Sequence, residues 1–431
     1  VSAALAITLP HCWTWSPLKF ATVFLHRGTS PDYSEDGTVR AVSQAAIQSA
    51  EMDWTLTRLH RHEGDPRKIK GYLSVDDVLV NSTGTGTLGR VGYFAGGPDS
   101  MPCMADGHVT VARADRQTVE PRYLYYWLSS SLFYEYIYSA LIVGATNQIE
   151  LNRERLAAAP IALPPLDDQR RIANFLDAES AKLDQLTRLR AKQVERLQEA
   201  LRAESVRLTG RDRRNRMEKT TEWPRVALRR IVDKVRTGLT PTEFLQAREG
   251  FDDMPWYTPA ALDGLLDLGI ADRHVSMEDS SQVPKFSAGS ILIVGIGESL
   301  GKVAPLDHEA TGNQQLTAIM ASESIDQRFL AWQLFAAYEE IREWAQYSRI
   351  RILNNEMLKS FHVYIPSGNY QRNVRKELDQ RLVEFREFRD AAQRFSRIAS
   401  ERRQALITAA VTGQVDVTTA RGLSERGGIK V

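Results

Sequence analysis

A length of 431 residues is too much for one ordinary hydrophobic core and implies two to four packed units. A composition of 43% hydrophobic and 25% charged residues excludes a disordered chain, and the lack of any run of about 18 apolar residues argues against a membrane-spanning helix. The net charge of +1 lends no general support to nucleic-acid binding, which would need a local basic patch or positive surface supplied by partners.

The opening VSAALAITLP has neither the basic start nor the long apolar stretch of a secretion signal, so a cytoplasmic protein is expected. Cys12 and Cys103 lack Cys-x-x-Cys spacing, which points to two small buried side chains rather than to a disulfide framework or zinc site. Trp13 is followed by Leu18-Lys19 and by Gly28-Thr29-Ser30-Pro31. His60-Arg61-His62-Glu63 brings two imidazoles together as a metal site would, yet nothing matches it later in the chain, and two His in a polar stretch are ordinarily solvated. Val78-Leu79-Val80 reads as a buried strand leading into a glycine loop. Within that loop Gly84 to Gly89 fits G-x-G-x-x-G, but Arg90-Val91-Gly92-Tyr93-Phe94 reads as a strand, not as the helix a dinucleotide site requires. The glycines therefore predict a tight turn that lets the backbone approach a neighbour such as a DNA phosphate. Tyr123 to Ile137 reads as an amphipathic helix, and Asp167 to about Leu208 as a long helix free of proline. Ile172, Leu176, Leu183, Leu186 and Leu197 mark its apolar seam, interrupted by Glu179, Arg190 and Gln193.

A polar, basic junction, Arg211-Asp212-Arg213-Arg214-Asn215-Arg216, reads as a solvated linker, after which the pattern returns. Trp223, Leu228-Arg229 and Gly238-Leu239-Thr240-Pro241 repeat the first anchors at a constant offset of 210. Ile291-Leu292-Ile293 through Leu300-Gly301-Lys302-Val303 repeats the strand and glycine loop. Arg328-Phe329-Leu330 echoes Arg122-Tyr123-Leu124, Leu353-Asn354 echoes Leu151-Asn152, and Gln371-Arg372 echoes Gln169-Arg170 at an offset of 202. Phe329 to Trp344 reads as another amphipathic helix. A second long helix carries Val374, Leu378, Phe385, Phe388, Phe395 and Leu406, interrupted by Arg381 and Arg402. Thr209-Gly210 and Thr412-Gly413 end the two helices, glycine being suited to a helix C-terminus. About 42 residues make a rod of roughly 63 Å. The imperfect seams suggest two unlike strands of a coiled coil paired with each other; amphipathic helices packing on their own domains remain the alternative.

The expected architecture is a duplicated, mixed α/β (α+β) chain. It comprises a first globular domain (1–165), a long helix (166–210), a linker (211–222), a second globular domain (223–366), a second long helix (367–413) and a tail (414–431). Hydrolase motifs, an Asp/Glu-x-Lys nuclease element and an Asn/Asp-Pro-Pro-aromatic methyltransferase segment are all missing, so no catalytic, cofactor or metal site is expected. The eight Trp residues are ordinarily core, though they could stack on bases. Candidate DNA-contact residues are Thr29, Ser30, Asn81, Thr83, Thr85 and Arg90 in the first repeat. In the second they are Arg236, Thr237, Thr240, Lys302, Gln314, Gln315, Arg349 and Arg351. Arg, Asn and Gln can bond two base-edge atoms at once, while Ser, Thr and Lys suit phosphate oxygens.

This ordered set resembles the DNA-specificity subunits of type I restriction-modification enzymes. The resemblance is carried by Trp-x4-Leu and Gly-x-Thr/Ser-Pro in each half and by the strand running into a glycine loop. It is carried further by Pro160-Ile161-Ala162-Leu163-Pro164-Pro165-Leu166 before Gln169-Arg170-Arg171-Ile172, and by Leu406 to Gly413. Ser367-Gly368-Asn369-Tyr370 departs from the family's Pro-Leu-x-x and bears on where the second helix begins. The resemblance implies two target-recognition domains related by a pseudo-two-fold axis, with the helices paired antiparallel as spacer and docking surface. It implies double-stranded DNA, two methyltransferase subunits and restriction/translocase subunits as partners, with no membrane. S-adenosylmethionine would belong to the methyltransferase, and divergence of the repeats implies an asymmetric, bipartite target. A coiled-coil scaffold binding protein or glycan, and pairing with a single methyltransferase-nuclease polypeptide, are the alternatives.

Overall fold

The computed structural model describes residues 7–48, 52–84, 86–143, 149–212, 223–240, 253–271, 273–276, 279–347 and 349–417. The chain divides into two compact units, Val1–Arg188 with Arg394–Val431, and Leu189–Gln393. Each unit thus includes part of both long helices, which a division in chain order does not suggest.

In the first unit, Asp77–Asn81 is buried at every position, as expected of a continuous apolar run inside a sheet. It lies between Val109–Ala114 and Val91–Phe94, and Thr22–Arg27 completes a four-stranded antiparallel sheet. Val39–Val42 pairs antiparallel with Arg58–His60 and parallel with Cys103–Ala105 in a second sheet. Thr14–Pro17 pairs with Pro160–Leu163, closing the domain where its chain enters and leaves.

The second unit repeats this order. Val232–Thr237, Leu316–Ala321, Ile291–Val294 and Val303–Pro305 form the four-stranded sheet. Met254–Tyr257 joins Arg273–Val275 and Thr311–Gly312, again with one antiparallel and one parallel pairing, and Arg225–Ala227 pairs with His362–Tyr364. The fold is therefore a duplicated α/β arrangement.

The helix expected over Tyr123 to Ile137 is two α-helices, Pro121–Ser129 and Ser131–Tyr136, the latter running on into a π-helical turn at Ile137–Leu141. The break falls at Ser130, whose hydroxyl donates to the Trp127 carbonyl at 2.7 Å and accepts from the Phe133 N–H at 3.2 Å, ending one helix and capping the next. Gln327–Ala336 and Tyr338–Trp344 form the corresponding pair. Trp127 and Trp332 are fully buried, in line with the core reading, while Trp344 is exposed. Cys103 is buried, which pushes its thiol up to about 11, whereas Cys12 is exposed, contrary to expectation.

The long helices run Leu166–Leu208 and Gly368–Val411. The divergent Ser367-Gly368-Asn369-Tyr370 stretch does not displace the second start, because a buried glutamine anchors both. Gln169 accepts from the Glu120 N–H and donates to the Pro164 and Thr118 carbonyls; Gln371 accepts from the Asp326 N–H and donates to the Pro366 carbonyl, with all bonds between 2.8 and 3.1 Å. Gln169→Leu leaves one N–H and two carbonyls without these partners in a dry site, an expected loss of about 2–3 kcal/mol, readable as a lower denaturation midpoint.

In the first unit Ile407, Ala410 and Val411 share a core with Ile172, Ala173 and Leu176, and Asp184 pairs with Arg403. In the second, Leu201 and Leu208 share a core with Val374, Leu378, Leu382 and Phe385, and Glu204 pairs with Arg381 at 3.0 Å. Leu186 and Leu197, expected on the seam, are exposed. The buried positions concentrate toward the helix ends, where the globular elements add apolar neighbours. Gly210 and Gly413 both adopt φ +73°, the left-handed ending that glycine permits. No helix among the described residues is long and apolar enough to cross a membrane.

Candidate nucleic-acid interface

The glycine of each Gly-x-Thr/Ser-Pro motif is a packing requirement. The Gly28 N–H donates to the Val109 carbonyl at 2.9 Å, and a Cβ at Gly28 would press on the Ala105 and Asp106 carbonyls at well under 3.0 Å. Gly238 does the same against Leu316, Gly312 and Asn313. This close approach sets Thr29 and Ser30 beside the 106–108 turn, and Thr240 beside the 313–315 turn.

A second pair of bonds fixes the glycine loops against those turns. The Ser82 N–H donates to the His108 carbonyl at 2.8 Å, and the Gly295 N–H to the Gln315 carbonyl at 2.7 Å. Leu151 then donates to the Ser82 carbonyl and Leu353 to the Gly295 carbonyl, both at 2.8 Å. Each glycine loop leads into an antiparallel strand, Val91–Phe94, as the sequence predicts, or Val303–Pro305.

On this shared backbone the side chains differ. In the first unit the Thr83 hydroxyl meets His108 Nδ1 at 2.8 Å and Gln44 Oε1 at 3.3 Å, and Asn81 Nδ2 donates to the Gln44 carbonyl at 3.1 Å. Ser30 lies against Gly107. Burial, the largest influence on Asp106, holds its carboxyl above the usual range, although the N–H groups of His108 and Val109 pull the other way. In the second unit the Thr240 hydroxyl donates to Gln314 Oε1 at 2.6 Å, and Asn313 Nδ2 donates to Gln315 Oε1 at 2.9 Å.

Of the predicted contact residues, Ser30, Thr29, Thr83 and Asn81 thus gather at one turn, with Asn81 fully buried, and Thr240, Gln314 and Gln315 gather at the other. Arg90 reaches toward Gln48 at 3.5 Å. Thr237 is held by Thr317 and Asn355, Lys302 points to the Leu262 carbonyl at 3.3 Å, and Arg351 donates to the Arg342 carbonyl. Arg236 and Arg349 are exposed, and Thr85 lies outside the described residues. Gln44, His108 and Asn313 belong to the turns but are not among the sequence candidates. The repeat offset, falling from 212 at the glycine loop to 206 at Arg122, narrows the counterpart of His108 to residues 314–320, and the matching backbone bonds set it opposite Gln315.

Both halves of the chain match one known domain. Residues 55–196 and 221–381 each match the type I restriction modification DNA specificity domain. The chain belongs to that family. Among relatives of this specificity family, a putative type I restriction enzyme MjaX specificity subunit from Methanocaldococcus jannaschii is 24% identical over 196 residues, or 44% of each protein. The match therefore spans less than half of that relative's length. A chain from structural work on complex assembly and conformational transition of the type I R-M system superposes with TM-score 0.70 at 18% identity, covering 95% of this chain and 100% of its own. The HsdS subunit from Thermoanaerobacter tengcongensis superposes with TM-score 0.51, also at 18% identity, over 95% and 98%. At these identities the likeness is one of fold. The family assignment does not favour a protein- or glycan-binding scaffold.

Proposed function

We propose that this chain is the DNA-specificity subunit of a type I restriction-modification system, reading a bipartite, asymmetric site and docking methyltransferase and restriction subunits. The observation that carries the reading is the pair of turns: the same backbone hydrogen bonds present Thr83, Gln44 and His108 in one unit and Thr240, Gln314 and Gln315 in the other. Two similar frames with different donors and acceptors suit two different half-sites. Base reading is assigned to these turns.

The long helices are proposed to pair as an antiparallel coiled coil that spaces the domains and carries the partners. Their cross-pairs support this, since Asp184 meets Arg403 whereas the later Glu204 meets the earlier Arg381. A cytoplasmic location follows from the DNA-directed role. Chemistry is assigned to the partners, with S-adenosylmethionine bound by the methyltransferase rather than by this chain. Incubated alone with S-adenosylmethionine and DNA, the purified chain is expected to transfer no methyl group. Adding its cognate methyltransferase should restore site-specific adenine methylation, followed by incorporation of labelled methyl groups. Methylation by the chain alone, free of contaminating enzyme, would refute the reading.

A further inference from the structure

A chain of net charge +1 that grips DNA with its own surface has to concentrate its cations, and one stretch of the second unit does so. Residues 223–240 contain Arg225, Arg229, Arg230, Lys234 and Arg236 against a single carboxylate, Asp233. Arg225 lies on the strand paired with His362–Tyr364, Arg229 and Arg230 on the following 3-10 turn, and Lys234 and Arg236 on the strand Val232–Thr237. All five are exposed. Among the described residues none of the five forms an ion pair, although Arg211, Arg328, Arg375, Arg381, Arg386 and Arg389 of the same unit all do.

Lys234 and Arg236 stand two residues apart on one face of the strand, about 6.7 Å along it, and the strand runs directly into Gly238 and Thr240 at the polar turn. The fields of Arg225, Arg229 and Arg230 converge on His362, whose pKa is lowered first by burial and then by those three guanidinium groups. The corresponding face of the first unit is different in kind. At the repeat offset Lys19 keeps the charge of Arg229, but Trp15 stands for Arg225, Phe20 for Arg230, Phe24 for Lys234 and His26, with Arg153 beside it, for Arg236. Phe20 and Val23 are exposed there, and the Lys19 ammonium rests over the Phe20 ring at 5.0 Å.

We infer that the Arg225–Arg236 face of the second unit is a track for the DNA phosphate backbone, and that the matching face of the first unit is not. The inference rests on the DNA-specificity reading. Exposed cations without a carboxylate partner complement phosphates, and such contacts fix register and affinity without choosing bases. The two units therefore divide the work unequally, with the second supplying the salt-sensitive grip.

The test uses the full chain assembled with its methyltransferase, titrated with target and scrambled duplexes over a range of salt. The quadruple variant R229A/R230A/K234A/R236A should flatten the slope of log K against log salt by about 0.9 per lost contact. Binding to both duplexes should weaken by a similar factor, and the methylated sequence should not change. The charge-conserving R229K/R230K/K234R/R236K should keep the slope, separating lost charge from lost folding, and Phe20→Ala should also keep it. A quadruple variant with the original slope overturns the inference, as does one that instead fails to bind the methyltransferase, which would assign the face to an acidic protein partner. If the unaltered assembly shows no preference for any sequence, the specificity reading itself fails and this inference falls with it.

Discussion

Exchanging residues 13–160 for the matching segment of another family member is expected to replace one half of the DNA target and leave the other half as it was. The first unit has its own core, built on the 77–81 strand and the buried Tyr123, Trp127 and Phe133. Its polar turn forms from its own residues, Gln44, Thr83 and His108. The loss of original target should be complete, since each mismatched base pair costs about 1–3 kcal/mol and a half-site contains several. The exchange has one requirement that chain order hides. Tyr123 donates to the Val411 carbonyl at 3.3 Å, and the Ser131 N–H donates to the Thr408 hydroxyl at 3.2 Å, so the segment must present those positions to the retained second helix. Sequencing of methylated sites in the assembled enzyme reads the result. A simultaneous change in both half-sites would count against independent reading units.

Arg211→Ala should be among the most destabilising single substitutions in the second unit. The Arg211 side chain is 1% exposed, and burial draws its pKa down from the ordinary guanidinium value. Its Nε donates to the Gln333 carbonyl at 3.1 Å, while its terminal nitrogens donate to the His362 carbonyl at 3.1 Å and to Glu340 at 2.9 Å. Alanine would take the donor from the His362 carbonyl, leave the Gln333 carbonyl with the Ala337 N–H at 3.1 Å, and open a void between the Phe361 and Tyr364 rings. Glu340 is 42% exposed and regains water, so most of the cost comes from the His362 carbonyl and the void. The expected loss is about 2–4 kcal/mol, seen as a lower melting temperature for the transition that includes Trp332. Arg211→Lys should recover only part of it, because one ammonium cannot span three acceptors in that fork. A loss below about 1 kcal/mol would show that water enters the site freely.

Arg211 illustrates where sequence reading stopped. In the chain it opens a run of basic and polar residues after a helix-ending glycine, a pattern that reads as a solvated linker. An arginine in water and an arginine under a packed helix are the same letter. The expected long seam behaves similarly: Leu186 and Leu197 have the spacing of core positions, yet neither finds a covering surface. Periodicity gives the side of the helix on which apolar residues stand, but what covers that side is set by other parts of the chain.

What the sequence determined by itself was the duplication, the strand-to-glycine-loop units, the two long helices, their glycine endings and the family. These are readable because their causes are local: runs of apolar residues at fixed spacing, proline and glycine at turns, and anchors repeated in order. Tertiary structure alone decided that the end of the second helix completes the first unit's core, and that Gln169 and Gln371 anchor the helix starts. It also decided which polar residues meet, since Thr83 and His108 are 25 residues apart and Thr240 and Gln314 are 74 apart. The physical reason is that such contacts depend on how sheets and helices pack over long separations, whereas the polarity of a side chain is the same whether water or another residue becomes its partner.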